Sequence, residues 1–206
     1  SARKMLGFLE EEAGIAADGV ISFTPDVFER LLALTGPIVM PEYGEVLTAE
    51  NFRAVTQEET SVLYDRQLNQ PKRFLADFAP RLLEKLVELP ERPAGAELLD
   101  ELTESVAEKH LLMFSLDNDI QQFISQSGAG GEMRRTAGDY LAIIHSNLGG
   151  GKTDSGMTQA VEKRVAIDAG GQALVTLRIT RTHNSYAETL LAKNMDFMRV
   201  FAPEGS

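Results

Sequence analysis

A glycine-rich stretch, Gly149 to Gly151 followed by Lys152, is the part of the chain whose residue types could bind a phosphate. A P-loop opens a helix, and its first glycine stands five positions before the glycine that precedes the lysine. Ser146 occupies that position here, and the residues after the loop alternate as in a strand. The sequence therefore predicts a glycine-rich connection that leaves a strand, and not a nucleotide site.

Three polar side chains beside this loop remain candidates for ligand contact. Asn147, Lys152 and Asp154 follow an apolar segment that indicates a core strand. Because α/β folds place ligands beyond the carboxyl ends of such strands, we predict that these residues form the rim of a cleft.

A group of basic residues is a second candidate site. Arg66, Lys72 and Arg73 lie in or beside the start of a predicted amphipathic helix, where guanidinium groups and the helix N-terminus could hold an anion. The alternative is that they are solvated charges balancing Asp65 and Asp77. The residues alone favour this alternative, because exposed ion pairs are common and individually weak.

Other site chemistries have less support from the residues. His110, His145 and His183 have no second histidine or carboxylate at metal-ligand spacing, and a catalytic zinc ion needs three convergent ligands. No G-x-S-x-G elbow occurs. We therefore assign no metal site, no cofactor and no catalytic residue from these patterns.

The charge and hydropathy of the chain restrict its partners. With 31 acidic and 20 basic residues the formal net charge is -11, which would repel a duplex phosphate backbone, so we expect no nucleic-acid partner. No stretch approaches the roughly 20 apolar residues that a membrane-spanning helix needs. The first methionine is Met5, and we expect the sequence to be a piece of a longer protein.

The elements that must position these residues alternate between strands and helices. A short apolar strand is predicted from Val20 to Phe23, a buried strand in "HLLMFS" and a near-continuous apolar strand in "DYLAIIHSN", with helical segments between them. This order is typical of an α/β fold with a layered sheet and flanking helices, and "DYLAIIHSN" resembles the strands that parallel sheets bury on both faces. The longest amphipathic helix is predicted over residues 71–89, with a kink or break near Ala76 caused by Pro80.

The pattern changes after Gly156. Apolar residues alternate from Val161 to Ile167 and again from Ala173 to Ile179, around the turn "DAGGQ", which predicts a β-hairpin. "MDFMRVFAP" indicates a further strand. We predict an α/β domain over residues 1–156 and a β-rich extension over 157–206, which is either separate or a continuation of the same domain.

Several segments together resemble the bacterial domain-of-unknown-function family numbered 4012. They occur in the family's order over nearly the whole chain: "DGVISFTPDVFERLLALTGPIVMPEYGEVLTAENF", "KRFLADFAPRLLEKL", "GDYLAIIHSNLGGGKTD" and "MRVFAPEGS". The family is in turn similar to the LytR-CpsA-Psr proteins, which transfer glycopolymers from a polyprenyl-diphosphate carrier to peptidoglycan.

This resemblance implies a location and two functions. It implies a protein outside the cytoplasmic membrane of bacteria, anchored through an upstream segment. The favoured function, because the residues include no complete catalytic constellation, is a non-enzymatic module that binds an envelope glycan or a partner protein. The other is a phosphotransferase or binder of a lipid-linked glycan, in which Arg66, Lys72 and Arg73 would hold the diphosphate and Mg²⁺ would be expected.

Overall fold

The computed structural model describes residues 2–61, 72–89, 94–133, 138–148, 153–184 and 193–203. The chain divides into two compact units, residues 1–133 and residues 134–206. The predicted boundary after residue 156 lies inside the second unit. The division into domains therefore stays a prediction.

The first unit contains the helices of the described chain and two small strand pairs. Its helices are α1 (Ala2–Ala13), α2 (Pro25–Thr35), α3 (Phe52–Ser61), α4 (Arg73–Glu88), α5 (Ala94–Ala107) and α6 (Asn118–Ser127). Its strands are β1 (Gly19–Phe23), β2 (Ile38–Met40), β3 (Glu45–Leu47) and β4 (Leu111–Ser115).

The core of the first unit lies where α2, α3 and α4 meet the β2–β3 hairpin. Phe28, Phe52 and Phe78 form a mutual aromatic cluster, with ring centroids 5.2 to 5.9 Å apart. Buried aliphatic side chains surround it, among them Val27, Leu32, Met40, Leu47 and Leu82. The apolar faces predicted for α2 and α4 are therefore the faces that this core buries.

Helix α4 continues from residue 73 to residue 88, so it does not break near Ala76, whereas the kink that was the alternative stays a prediction. Proline removes the amide that would bond to the carbonyl of Ala76 and costs roughly 3 kcal/mol in a helix interior. Both residues lie on the exposed side of α4. Burial of Phe74, Phe78 and Leu82 on the opposite side holds the helix together through the proline.

The strands pair differently from the predicted layered sheet. β1 pairs with β4, and β2 with β3, each as an antiparallel two-stranded sheet. The third predicted core strand, β5 (Ala142–Ile144), belongs to the second unit and pairs with β8 (Arg199–Phe201), also antiparallel. The fold is thus mixed α/β with small antiparallel sheets, and the expectation of a parallel-type layered sheet is wrong. β1 is mostly exposed and β5 is half-buried, so apolar composition fixed neither the burial of these strands nor the direction of their partners.

The second unit contains the predicted β-hairpin. Strand β6 (Met157–Ile167) pairs along its full length with β7 (Ala173–His183). In the turn between them, the Asp168 carboxylate accepts hydrogen bonds from the backbone amides of Gly170 and Gln172, both at 2.9 Å. Gly171 adopts φ = 81°, in the left-handed region that favours glycine. The hairpin read from the alternating pattern is confirmed.

Candidate functional site

A ribbon of backbone hydrogen bonds extends the β5–β8 pair beyond its regular strands. Ser146 and Phe197 exchange hydrogen bonds of 3.2 and 2.8 Å, and the Leu148 amide donates to the Met195 carbonyl at 2.8 Å. An antiparallel bridge joins Asn147 to Asp196. The ribbon therefore brings the residues that follow β5 beside those that precede β8.

A polar network secures the chain on the far side of the glycine loop. Thr153 is fully buried, and its hydroxyl accepts a hydrogen bond of 2.8 Å from the Asn194 amide. The Asp154 carboxylate accepts from Asn194 at 3.0 Å and from Asn147 at 3.3 Å. The side-chain oxygen of Asn147, Oδ1, accepts a hydrogen bond of 3.1 Å from the Met195 backbone amide. Asp154 is consequently held by two neutral amides, although its side chain is exposed.

A charged cluster lies next to this network. The Asp196 carboxylate accepts a hydrogen bond from His145 Nδ1 at 2.9 Å, and the same oxygen, Oδ2, pairs with Arg181 Nη1 at 2.5 Å. A carboxylate without its proton can only accept, so this contact makes Nδ1 the protonated ring nitrogen. The three side chains are 16 to 26% exposed, so all are largely removed from water.

The pKa of Asp196 reflects these neighbours. Burial raises this pKa, but the hydrogen bond from His145 and the charges of His145 and Arg181 outweigh burial and hold the pKa below its usual value. Asp196 is therefore a carboxylate at neutral pH, and it compensates the guanidinium charge of Arg181.

Residues of the charged cluster and of the polar network border a groove of about 410 Å³ that is open to solvent. Its lining residues combine polar and apolar side chains: His145, Asn147, Asp154, Met157, Gln159 and Arg181. Gln159 and Arg181 are cross-strand partners in the hairpin, so they project from the same face of it. The groove thus lies where the hairpin begins, directly after the glycine loop.

Two of the three predicted rim residues line this groove. The structure brings Asn147 and Asp154 together there, whereas Lys152 lies outside the described residues. Their role in ligand binding stays a prediction. Gln159 and Arg181 were not predicted from the sequence, although the two-residue period of β6 and β7 puts both on one face once the hairpin register is known. Asp196 was not predicted either, because no short motif marks it.

The second candidate site, the basic group at the start of α4, is described in part. Lys72 precedes the helix and Arg73 begins it, and both are exposed. Arg73 lies 3.8 Å from Asp77, whose carboxylate also accepts a 2.6 Å hydrogen bond from the Tyr43 hydroxyl. Burial and the bond to Asp77 raise the pKa of Tyr43 to about 12. Arg66 and Asp65 lie outside the described residues, so an anion site at Arg66, Lys72 and Arg73 stays a prediction.

The glycine loop does not open a helix. Residues 149–152 are outside the described residues, but a single 3-10 turn over Asp154–Gly156 follows them and leads directly into β6. Since a P-loop requires a helix whose amides point at phosphate, the prediction of a connection leading to a strand is confirmed.

His110 Nδ1 lies 2.8 Å from the Thr24 hydroxyl and 3.6 Å from the Asp26 carboxylate. His183 ends β7, opposite Met157 in the strand register. Within the described ranges, no three or more His, Asp or Glu side chains are grouped so as to hold a metal ion. No helix in the same ranges combines the length and apolar character needed to cross a membrane.

Comparison with known proteins finds a match to the N-terminal part of the chain. No curated protein matches the sequence significantly, and no solved structure does. Residues 1–60 match the model of a family described as "Protein of unknown function (DUF4012)", so the family resemblance read from the sequence is confirmed over that stretch.

Proposed function

We propose that this chain is an extracytoplasmic module of the bacterial cell envelope that binds a glycan in the groove of its second unit. The observation that carries the proposal is the composition of that groove, in which hydrogen-bond acceptors, hydrogen-bond donors and an apolar patch border one cavity of about 410 Å³. Small-ligand sites combine apolar surface with a few placed polar groups in this way.

The chemistry of a sugar fits this lining. A pyranose ring presents hydroxyl groups that both donate and accept, together with C–H faces that pack on flat or apolar side chains. Asp154 offers acceptor oxygens, Gln159 offers both kinds of group, and Arg181 offers donors. The His145 ring and Met157 supply flat and apolar surface beside them.

The network beneath the groove supports rigid presentation of these groups. Asn147 and Asn194 fix the Asp154 carboxylate, and Asp196 fixes both His145 and Arg181. Side chains that are already ordered lose less conformational entropy when a ligand binds, which favours affinity.

The location outside the cytoplasmic membrane rests on the family resemblance. It is tested by fusing alkaline phosphatase, which is active only outside the cytoplasm, to the C-terminus of the full gene product. We expect phosphatase activity in intact cells. An inactive phosphatase beside an active cytoplasmic β-galactosidase fusion would contradict the proposed location.

The glycan proposal is tested by isothermal titration of the chain with N-acetylglucosamine oligomers and with soluble peptidoglycan fragments. We expect Gln159→Ala to weaken binding about ten-fold, which corresponds to one lost hydrogen bond of roughly 1.4 kcal/mol. Gln172→Ala is the matched control, because Gln172 lies in the hairpin turn of the same unit, outside the groove. No saturable binding of either probe, or equal losses in the two variants, would refute a glycan site in this groove. A protein partner would then be the remaining ligand class for the module.

The second candidate function is a LytR-CpsA-Psr-like phosphotransferase or lipid-linked glycan binder. The observation in its favour is that Lys72 and Arg73 stand at the N-terminus of α4, a 16-residue helix whose dipole attracts anions. The pairing of Arg73 with Asp77 weakens this case.

Thermal stability with a prenyl-diphosphate lipid and Mg²⁺ tests this second function. A gain in melting temperature that Arg66→Ala/Arg73→Ala abolishes, and that Arg178→Ala on the hairpin retains, would support it. No gain, or the same gain in the double variant, would exclude a diphosphate site at these residues.

A further inference from the structure

We infer that the groove selects ligands that carry hydroxyl or ammonium donors and discriminates against carboxylate and phosphate groups, with Asp154 setting this preference. The inference rests on the proposed function, since it names the ligand class of the same groove. It excludes uronic-acid and phosphate-bearing polymers as the preferred ligand.

Arg181 is the arginine among the residues that line the groove. An unpaired guanidinium would attract carboxylates and phosphates. Here Arg181 is 2.5 Å from the Asp196 carboxylate, and both side chains are more than four-fifths buried. The charge that could hold an anionic ligand is therefore already compensated within the protein.

Asp154 has no cationic partner of this kind among the described residues. Its carboxylate oxygens accept from the amides of Asn194 and Asn147, which are neutral. No described lysine, arginine or histidine lies within ion-pair distance of it. Among the described residues, Arg181 is thus paired with the Asp196 carboxylate, whereas the Asp154 carboxylate has no cationic partner.

The Asp154 carboxylate keeps hydrogen-bonding capacity for a ligand. A carboxylate has about four lone-pair directions, and Asp154 uses two of them internally, so two stay open on an exposed side chain. An ammonium or hydroxyl group can donate to these oxygens. A ligand carboxylate can only accept there, and a ligand carboxylate or phosphate would bring a second negative charge close to the first.

The charge of the whole chain acts in the same direction. A formal net charge of -11 gives a long-range field that concentrates cations and repels anions at low ionic strength. Salt screens this field over distances of about 8 to 10 Å, whereas a contact within the groove is screened less. Ionic strength can therefore separate the contribution of Asp154 from that of the overall field.

The test is a titration of the full chain with three oligosaccharides of equal length, made of N-acetylglucosamine, glucosamine and galacturonate units, at a pH where the amines are protonated. Inorganic phosphate is a fourth probe. We expect glucosamine oligomers to bind at least ten-fold more tightly than galacturonate oligomers, and phosphate not to bind measurably. The N-acetylglucosamine oligomer should fall between the two charged sugars.

Matched variants test whether Asp154 sets the ratio between the glucosamine and galacturonate affinities. Asp154→Asn should reduce the ratio between the glucosamine and galacturonate affinities to about three-fold or less. Glu162→Gln removes the same charge from the same unit but outside the groove, and it should leave the ratio unchanged. Gln159→Lys adds a cation to an exposed groove position and should reverse the preference, which keeps the test valid if Asp154→Asn does not fold.

The outcomes separate this inference from the proposed function. Galacturonate or phosphate binding as tightly as glucosamine, or a ratio that Asp154→Asn and Glu162→Gln change equally, overturns the role of Asp154 while leaving a glycan site in place. Failure of all three oligosaccharides to bind overturns the glycan site and, with it, this inference.

Discussion

Substitution of Asp196 by asparagine tests whether the charged cluster holds the second unit together. Asp196 receives a hydrogen bond from His145 at 2.9 Å and an ion pair from Arg181 at 2.5 Å, with side-chain exposures of 16 and 19% for Asp196 and Arg181. Breaking a fully buried ion pair costs about 3 to 5 kcal/mol, and an exposed pair contributes at most about 1 kcal/mol. Asparagine keeps one acceptor oxygen but loses the charge. We therefore expect a loss of about 2 kcal/mol.

The change is measured by hydrogen–deuterium exchange of peptides covering residues 142–148 and 194–201. A loss of about 2 kcal/mol corresponds to roughly a 30-fold faster exchange of the amides that the β5–β8 ribbon protects, since each 1.4 kcal/mol is ten-fold. Asp139→Asn is the control. Asp139 also pairs with a cation of the second unit, Lys163, but its side chain is 67% exposed. We expect its exchange to change less than about five-fold.

The stability of the Asp196→Asn variant should depend on pH differently from that of the unsubstituted protein. The pKa of Asp196 is below its usual value, because the contacts with His145 and Arg181 outweigh the opposing effect of burial. The stability that this carboxylate contributes is therefore complete above the unfolded pKa of about 3.9 and is lost as pH falls through the lower folded-state pKa. Asp196→Asn should lack that part of the acid transition. Equal protection in the Asp196 and Asp139 variants, with identical acid transitions, would refute a stabilising role for the cluster.

Three further predictions concern single groups. Tyr43 should titrate near pH 12 by absorbance, because burial and Asp77 disfavour its phenolate; stability should fall between its unfolded pKa of about 10 and 12, and Tyr43→Phe should remove that fall. Gly171→Ala should destabilise the hairpin by roughly 1 to 2 kcal/mol in thermal unfolding because of its φ of 81°, whereas Gly170→Ala should cost less because that residue has no positive φ. Asp117→Ala should cost about 1 kcal/mol in urea unfolding, because the Asp117 carboxylate accepts from two amides at the start of α6; an unchanged midpoint would contradict this capping role.

Local patterns predicted the elements whose signals are contained in a few adjacent residues. The helix after Pro25, the hairpin around "DAGGQ" and the Asp117 cap all appear where their residues indicate. Pairing between distant segments could not be predicted in this way. β1 pairs with β4 across about ninety residues, and the apolar composition of both strands suits a parallel sheet as well as an antiparallel one.

The candidate site shows the same limit at the level of side chains. Asn147 and Asp154 were found because they flank a strand end and a glycine loop in sequence. Arg181 and Asp196 come from segments more than twenty residues after that loop, and they meet His145 only through the hairpin register and the β5–β8 ribbon. A sequence pattern can indicate one wall of a groove, but the opposite wall depends on tertiary pairing.

The groove and the stability of the second unit depend on the same residues. A two-stranded ribbon is only marginally stable alone, and β5 and β8 are three residues each. Side-chain bonds from Asn147, Asn194 and Asp196 extend the attachment of these strands. A ligand that contacts the groove binds only when this network is formed, so it stabilises the ribbon by mass action, by about 2.7 kcal/mol at a hundred times its Kd. A true ligand should therefore slow exchange at residues 142–148 and 194–201 together, whereas a compound bound elsewhere on the unit would leave those amides unchanged.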